Sequence, residues 1–210
     1  TVLTTFDLSH CQLGKIEDVV LAPLLSHPSL ENLRLRWNEI RITPILAEAL
    51  SHNVNLIHLC LSGNSIDGYG ACMLMKALDN CRYLEHLELG NNGITTSGIQ
   101  AIARWINRCS ALQYLDLSNI TLDEVGLDTL ISAIRVHSNL RTLFIKISEI
   151  PDSVSEGILM TLINNPVLTI ISVKTHNETM KTNVEDIQKR NTWNKHVRTP
   201  TLCQRLLAIV

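Results

Sequence analysis

The feature that most constrains this chain is a period. Seven segments fit one L-x-x-L-x-L frame: Leu3-Phe6-Leu8, Leu30-Leu33-Leu35, Leu56-Leu59-Leu61, Leu84-Leu87-Leu89, Leu112-Leu115-Leu117, Leu140-Leu143-Ile145 and Leu168-Ile171-Val173. Successive frames begin 26 to 28 residues apart. Self-similarity at that spacing marks a stack of like units. Inside each frame apolar and polar residues alternate, the period of a short half-buried strand. A polar turn follows, then a stretch with helical period: Ala71, Leu74, Met75 and Leu78, then Ile99, Ile102, Trp105 and Ile106, then Leu127, Leu130, Ile131 and Ile134. These predict helices of about three turns. Thr43-Pro44 reads as a helix start, Thr as N-cap and Pro at the first helical position. Ser97-Gly98 and Asp123 occupy similar starts.

One strand plus one helix cannot bury its own apolar face, so the units stack on one another. Neighbouring strands lie ~4.8 Å apart, whereas packed helices need ~8–10 Å. The helices therefore take the outer arc and a parallel sheet the inner one, which predicts a curved α/β solenoid of about seven strands. Composition agrees. Leucine occurs 33 times and isoleucine 22 times, against three Trp, three Tyr and two Phe. Small, repeated core slots accept aliphatics more readily than rings.

The frames continue as L-R-L-R-W-N-E-I at 33–40, L-C-L-S-G-N-S-I at 59–66 and L-E-L-G-N-N-G-I at 87–94. These resemble leucine-rich repeats of the ribonuclease-inhibitor-like class, whose consensus is L-x-x-L-x-L-x-x-N/C-x-L with a helix in each repeat. The resemblance spans residues 1–178. It implies a horseshoe whose position-nine Asn or Cys bonds backbone between adjacent turns: Cys11, Asn38, Asn64 and Asn92 here. Later repeats depart, with Ile120, Ser148 and His176 in that slot, and Asn119 stands one place early. The turns of the last three repeats are accordingly expected to be looser or reorganised.

The chain starts at Thr1 inside a strand frame, and an exposed first repeat is unfavourable. A fragment lacking its N-terminal cap is the expectation. Beyond residue 178 the frame is lost. Residues 179–210 are read as a C-terminal cap and basic tail, since residues 174–210 hold seven Lys/Arg against three Asp/Glu. Val184, Ile187 and Trp193 suggest a short amphipathic helix there. Residues 201–210 resemble the Elongin-binding box of ubiquitin-ligase adaptors, with Leu206 where that box has Cys.

A pI near 6.4 argues against a nucleic-acid partner. No apolar run approaches the ~20 residues of a membrane span. The six cysteines form no C-x-x-C pair, so free thiols and a cytoplasmic setting are expected. Cys81 and Cys109 fall at equivalent turn positions, three residues before a frame. The sequons at Asn119 and Asn177 matter only on a secreted chain.

Frame positions three, five, seven and eight should face the inner sheet surface. They supply a basic-aromatic zone (Arg34, Arg36, Trp37), an acidic-aromatic centre (His58, His86, Glu88, Tyr114, Asp116, with Glu85 beside it) and a second basic zone (Phe144, Lys146, with Arg141 and Lys174). Trp, Tyr and Arg dominate interface energetics, so these residues are the candidate partner-binding set. His58, Cys60, His86 and Glu88 lack the tight ligand spacing of zinc sites and read as a polar face. No phosphate loop, nucleophile elbow or enclosed carboxylate pair is present. The expected function is therefore non-enzymatic protein binding on the concave face, without cofactor or metal. The resemblance points to the sensing or docking region of a larger regulator of the NOD-like-receptor type. The same repeat class also includes GTPase activators and cytoskeletal regulators, and an adaptor role would follow from the Elongin-like segment.

Overall fold

Seven parallel strands pair in chain order, each aligned with the next by one repeat of the frame. They are β1 (Thr5–Asp7), β2 (Asn32–Arg34), β3 (His58–Cys60), β4 (His86–Glu88), β5 (Tyr114–Leu117), β6 (Thr142–Lys146) and β7 (Ile170–Lys174). This is a computed structural model, describing residues 4–120, 122–146, 165, 168 and 170–174, with backbone only at 146 and 170–174. Among the described residues five α-helices connect the strands: α1 (Asp18–Leu25), α2 (Pro44–Ser51), α3 (Gly68–Ala77), α4 (Thr96–Ile106) and α5 (Glu124–Val136). Consecutive helices pack side by side as a second layer.

The register realises the frame. Asn32, His58, His86, Tyr114, Thr142 and Ile170 are successive partners along one row. Between that row and the next, Leu33, Leu59, Leu87, Leu115 and Leu143 point into the core with no exposed surface. The helical stripes Ile99, Ile102, Trp105, Ile106 and Leu127, Leu130, Ile131, Ile134 meet them from the other layer, all buried. Burying one such aliphatic side chain contributes ~1.5–3 kcal/mol, so the layers are held by repetition of one small contact.

The helix starts are specified locally. Thr43 accepts from the Leu46 amide at 3.3 Å, with Pro44 in the first turn. Asp123 accepts from Gly126 N at 2.8 Å, and Asp67 does the same for Gly70 at 2.7 Å. The expected start at Ser97-Gly98 is corrected: α4 begins at Thr96, and both residues lie within its first turn.

Two polar ladders stitch the repeats. At position nine, Asn64 Oδ1 accepts from the Asn38 and Ile40 amides at 3.2 and 2.9 Å, while its Nδ2 donates to Leu35 O at 2.8 Å. Asn38 serves the turn before it through Cys11 N and Leu8 O, at 2.8 and 2.7 Å. Asn92 holds Ile66 N and Leu61 O, both at 3.0 Å. Cys11 donates only locally, its thiol reaching Ser9 O at 3.5 Å. Backbone groups that would otherwise be buried and unpaired are thereby satisfied.

The second ladder enters each strand from three residues before its frame. Asn53 donates to Leu25 O at 3.2 Å, Cys81 to Asn53 O at 3.0 Å and Cys109 to Leu84 O at 3.6 Å. His137 Nε2 lies 2.9 Å from Cys109 O, and Asn165 Nδ2 donates to Ile134 O at 3.2 Å. This explains why Cys81 and Cys109 recur at one period: each thiol bonds a carbonyl of the preceding repeat.

Asn119 does not replace the missing position-nine Asn. It has a positive φ of 56°, as do its position-eight counterparts His10, Trp37, Gly63 and Asn91. That column is a left-handed corner that turns the chain out of each strand, a conformation Asn and Gly tolerate best. Asn119 bonds Asn91 Oδ1 at 2.8 Å on the surface, and Ile120 fills the position-nine slot as buried apolar bulk. Ser148, His176, Trp193, Cys203 and the segment 179–210 lie outside the described residues.

Candidate functional site on the inner sheet face

Residues at positions three and five of each strand share one face of the sheet, because strand side chains alternate. On that face rings from four strands form a file. His58 and His86 have centroids 5.4 Å apart, His86 and Tyr114 5.3 Å, and Tyr114 and Phe144 5.5 Å. The interplanar angle opens from 24° at His86–Tyr114 to 45° at Tyr114–Phe144. Centroids 4.5–7 Å apart are those of favourable ring pairs. All four rings are part-exposed.

Beneath the file lies a charged cluster. Glu88, with only 8% of its side chain exposed, accepts from Arg36 across the intervening strand β3 and pairs with His58 Nε2 at 3.0 Å. Cys60 completes it, its sulfur accepting from Arg36 Nε at 2.8 Å and donating to Glu88 at 3.4 Å. Burial alone would raise the Glu88 pKa. The hydrogen bonds from His58 and Arg36 outweigh it and hold the carboxyl down at about 2. Burial is likewise the leading cause that raises the Cys60 thiol and lowers His86, the latter with help from the neighbouring His58. Tyr114 is pushed up to about 12, by burial first and then by Glu88 and Asp116.

The expected separation into basic and acidic zones is therefore corrected. Arg36 and Glu88 neutralise each other, and Glu88 is too buried to be offered to a partner. Arg34 remains exposed at the end of β2. Trp37 lies past β2 in its left-handed corner, 51% exposed, stacked on His10 with centroids 6.4 Å apart. Its ring covers Gly63, where a Cβ would meet it at 2.3 Å. Trp37 and the four-ring file are thus separate features. Phe144 joins Tyr114 and Asp116, while Lys146 is placed by its backbone at the end of β6.

Asp116 pairs in register with Glu88 on one side and Phe144 on the other. Its Oδ1 accepts from Ser118 N at 2.8 Å. Among the described residues neither Asp116 nor Glu85 has an ion-pair partner. No group of three or more His, Cys, Asp or Glu among the described residues is arranged to hold a metal ion. Among the same residues no helix is long and apolar enough to cross a membrane.

The family model described as Leucine Rich repeat matches residues 80–103, the stretch from the end of the third repeat into α4. Together with the frame, register and ladders, that match decides the fold. The chain has a leucine-rich-repeat fold.

Solved leucine-rich-repeat neighbours share the architecture at low identity. A structure titled Leiomodin-1 Actin-Binding Site 2 is 16% identical, with a TM-score of 0.58, covering 74% of this chain and 90% of the other. The tropomodulin C-terminal domain of Caenorhabditis elegans is 16% identical with a TM-score of 0.57, covering 69% and 89%. An internalin of Listeria monocytogenes is 19% identical with a TM-score of 0.50, covering 86% and 51%. No curated protein sequence matches significantly. What the repeat reading missed was the strand-entry ladder, although His27, Asn53, Cys81, Cys109, His137 and Asn165 recur in one column that could have been read down.

Proposed function

We propose that the inner sheet face of this leucine-rich-repeat domain is a non-enzymatic docking surface for a protein partner. The observation that carries the reading is the file of His58, His86, Tyr114 and Phe144, four part-exposed rings in van der Waals contact across four strands. A rigid aromatic row loses little conformational freedom on binding, which is why such residues dominate interfaces. Trp37 and Arg34 extend the surface toward the second repeat.

Two hosts suit such a face, a NOD-like-receptor regulator and a cytoskeletal regulator. The likeness to an actin-binding site of leiomodin and to a tropomodulin domain favours the second, and actin is the first partner to assay. Retention of purified actin should be lost in a Trp37→Ala/Tyr114→Ala variant that still melts cooperatively. Equal retention by both forms would place the contact elsewhere. No retention by the native chain removes the actin reading; a photo-crosslinker at 114 should then still give adducts that one at the outer-face position 48 does not.

A further inference from the structure

The cluster under the rings leaves an imbalance. Arg36 and His58 both bond Glu88, so the buried carboxylate is already compensated. Asp116, next to it in register, has no cation among the described residues. Its position is built: the Ser118 amide holds Oδ1 at 2.8 Å, and the carboxylate lies over Gly90, where an added Cβ would come within 3.1 Å of Oδ1. A Cβ at 90 would press on Ser118 Oγ first, at 2.7 Å, and then on this carboxylate.

The rings beside that carboxylate are splayed. Tyr114, two residues before Asp116 on the same face of β5, and Phe144, the register partner of Asp116 on β6, meet at 45° with centroids 5.5 Å apart. Ring faces carry negative quadrupole potential, and a cation within about 6 Å of a centroid is attracted to it. Neighbouring positions of the same sheet face thus carry two rings and a carboxylate of like sign. Tyr114 is held up chiefly by burial, with Glu88 and Asp116 adding to the shift in the same direction. Glu85, at the entry to β4, extends it.

We infer that this notch receives a basic side chain, Lys or Arg, from the protein partner, its alkyl stem on Tyr114 and Phe144 and its charge against Asp116. Charge complementarity selects this occupant over an acidic or purely apolar segment. An apolar segment would leave the Asp116 carboxylate desolvated without a partner, which is costly. Arg34, exposed at the end of β2, carries the opposite charge, so the basic group is confined away from the second repeat. The inference rests on the docking function proposed above and specifies its chemistry.

The test uses the full chain and fluorescently labelled octalysine, followed by anisotropy at low salt, with octaglutamate as the opposite-charge probe. Octalysine should bind more tightly than octaglutamate. Asp116→Asn should weaken it roughly fivefold to tenfold, the scale of one cation contact. Phe144→Leu, which removes no charge, should weaken it severalfold, as diffuse attraction to an acidic surface would not. Glu48→Gln on the outer face should leave binding within twofold. Equal effects of Asp116→Asn and Glu48→Gln, or preference for octaglutamate, would overturn the notch. If Phe144→Leu disturbs folding, seen as lost cooperativity in melting, Asp116→Asn decides alone. Loss of partner binding in Tyr114→Ala with no effect of Asp116→Asn on either ligand keeps the docking face and removes the notch.

Discussion

Arg36 and Glu88 are 52 residues apart in sequence and pair directly, across the strand that lies between them. The pair ties the second repeat to the fourth, with Cys60 of the third in the same cluster. Solenoids are usually held by nearest-neighbour contacts, so a side chain that reaches past its neighbour couples three units at once.

Glu88→Ala should accordingly destabilise the chain by roughly 2–3 kcal/mol at neutral pH, because it leaves His58 and Arg36 without their shared acceptor. The effect should depend on pH. An unfolded carboxyl takes its proton near 4.5, whereas this one holds out to about 2. A depressed carboxyl stabilises above its unfolded pKa and loses that contribution as pH falls through its folded value. Urea denaturation at pH 7 and pH 3 should show the gap between Glu88→Gln and the native chain shrinking in acid. A constant gap would refute the pairing as its cause.

Asn64 serves five backbone groups in a buried turn. Asn64→Ala is expected to cost about 2–4 kcal/mol, since each buried group left unpaired costs ~1–3 kcal/mol. Differential scanning calorimetry would measure it. Ile120→Asn is the converse, and should cost stability unless the turn reorganises to use the amide.

Gly63 combines a φ of 69° with the Trp37 ring lying 2.3 Å from where its Cβ would be. Gly63→Ala should therefore cost about 1–3 kcal/mol and drive Trp37 off its seat. Increased quenching of tryptophan emission by iodide, relative to the native chain, is the readout. Unchanged quenching would mean that the ring is not held there.

Cys81 and Cys109 are pushed up to about 12 and about 11, chiefly by burial. Thiolate is the reactive form. In the native chain at pH 8, iodoacetamide should modify the exposed Cys11 at least tenfold faster than either, and denaturant should abolish the difference. Peptide mass spectrometry over time gives the rates.

Octalysine binding should stay level down to pH 6.5, the ordinary imidazole value, and weaken as pH falls below it toward about 5. His86 resists protonation because of burial and of His58 beside it, while Glu85 and Glu88 pull the other way. When it does protonate, a positive charge arises against Tyr114 at the edge of the notch. His86→Phe should flatten the profile between those pH values; a native profile that is already flat would exclude this coupling.

The architecture was legible because it is written in spacing. Leu33, Leu59, Leu87, Leu115 and Leu143 form a column in the sequence and a column in the core. Asn38, Asn64 and Asn92 were readable for the same reason. Side-chain reach was not. Frame position places Arg36 and Glu88 in different columns two strands apart, and nothing periodic says that a guanidinium will cross the gap. Trp37 illustrates the other limit: its column faces solvent in the alternation of a strand, but the backbone has already left the strand there, and the ring folds sideways onto Gly63.

The position-nine ladder has a direction. Asn38 completes the turn that contains Cys11, Asn64 the turn of Asn38, and Asn92 the turn of Asn64, so every loop is fastened by its successor. At Ile120 the successor brings no amide. Among the described residues the row of clasps runs as far as Asn92, and the next junction, between the repeats of His86 and Tyr114, is held on that rim by buried Ile120, the Asn91–Ser118 backbone bond and the surface bond from Asn119 to Asn91. Stretched or twisted, the described row should give first at that joint, beneath the stacked His86 and Tyr114 rings.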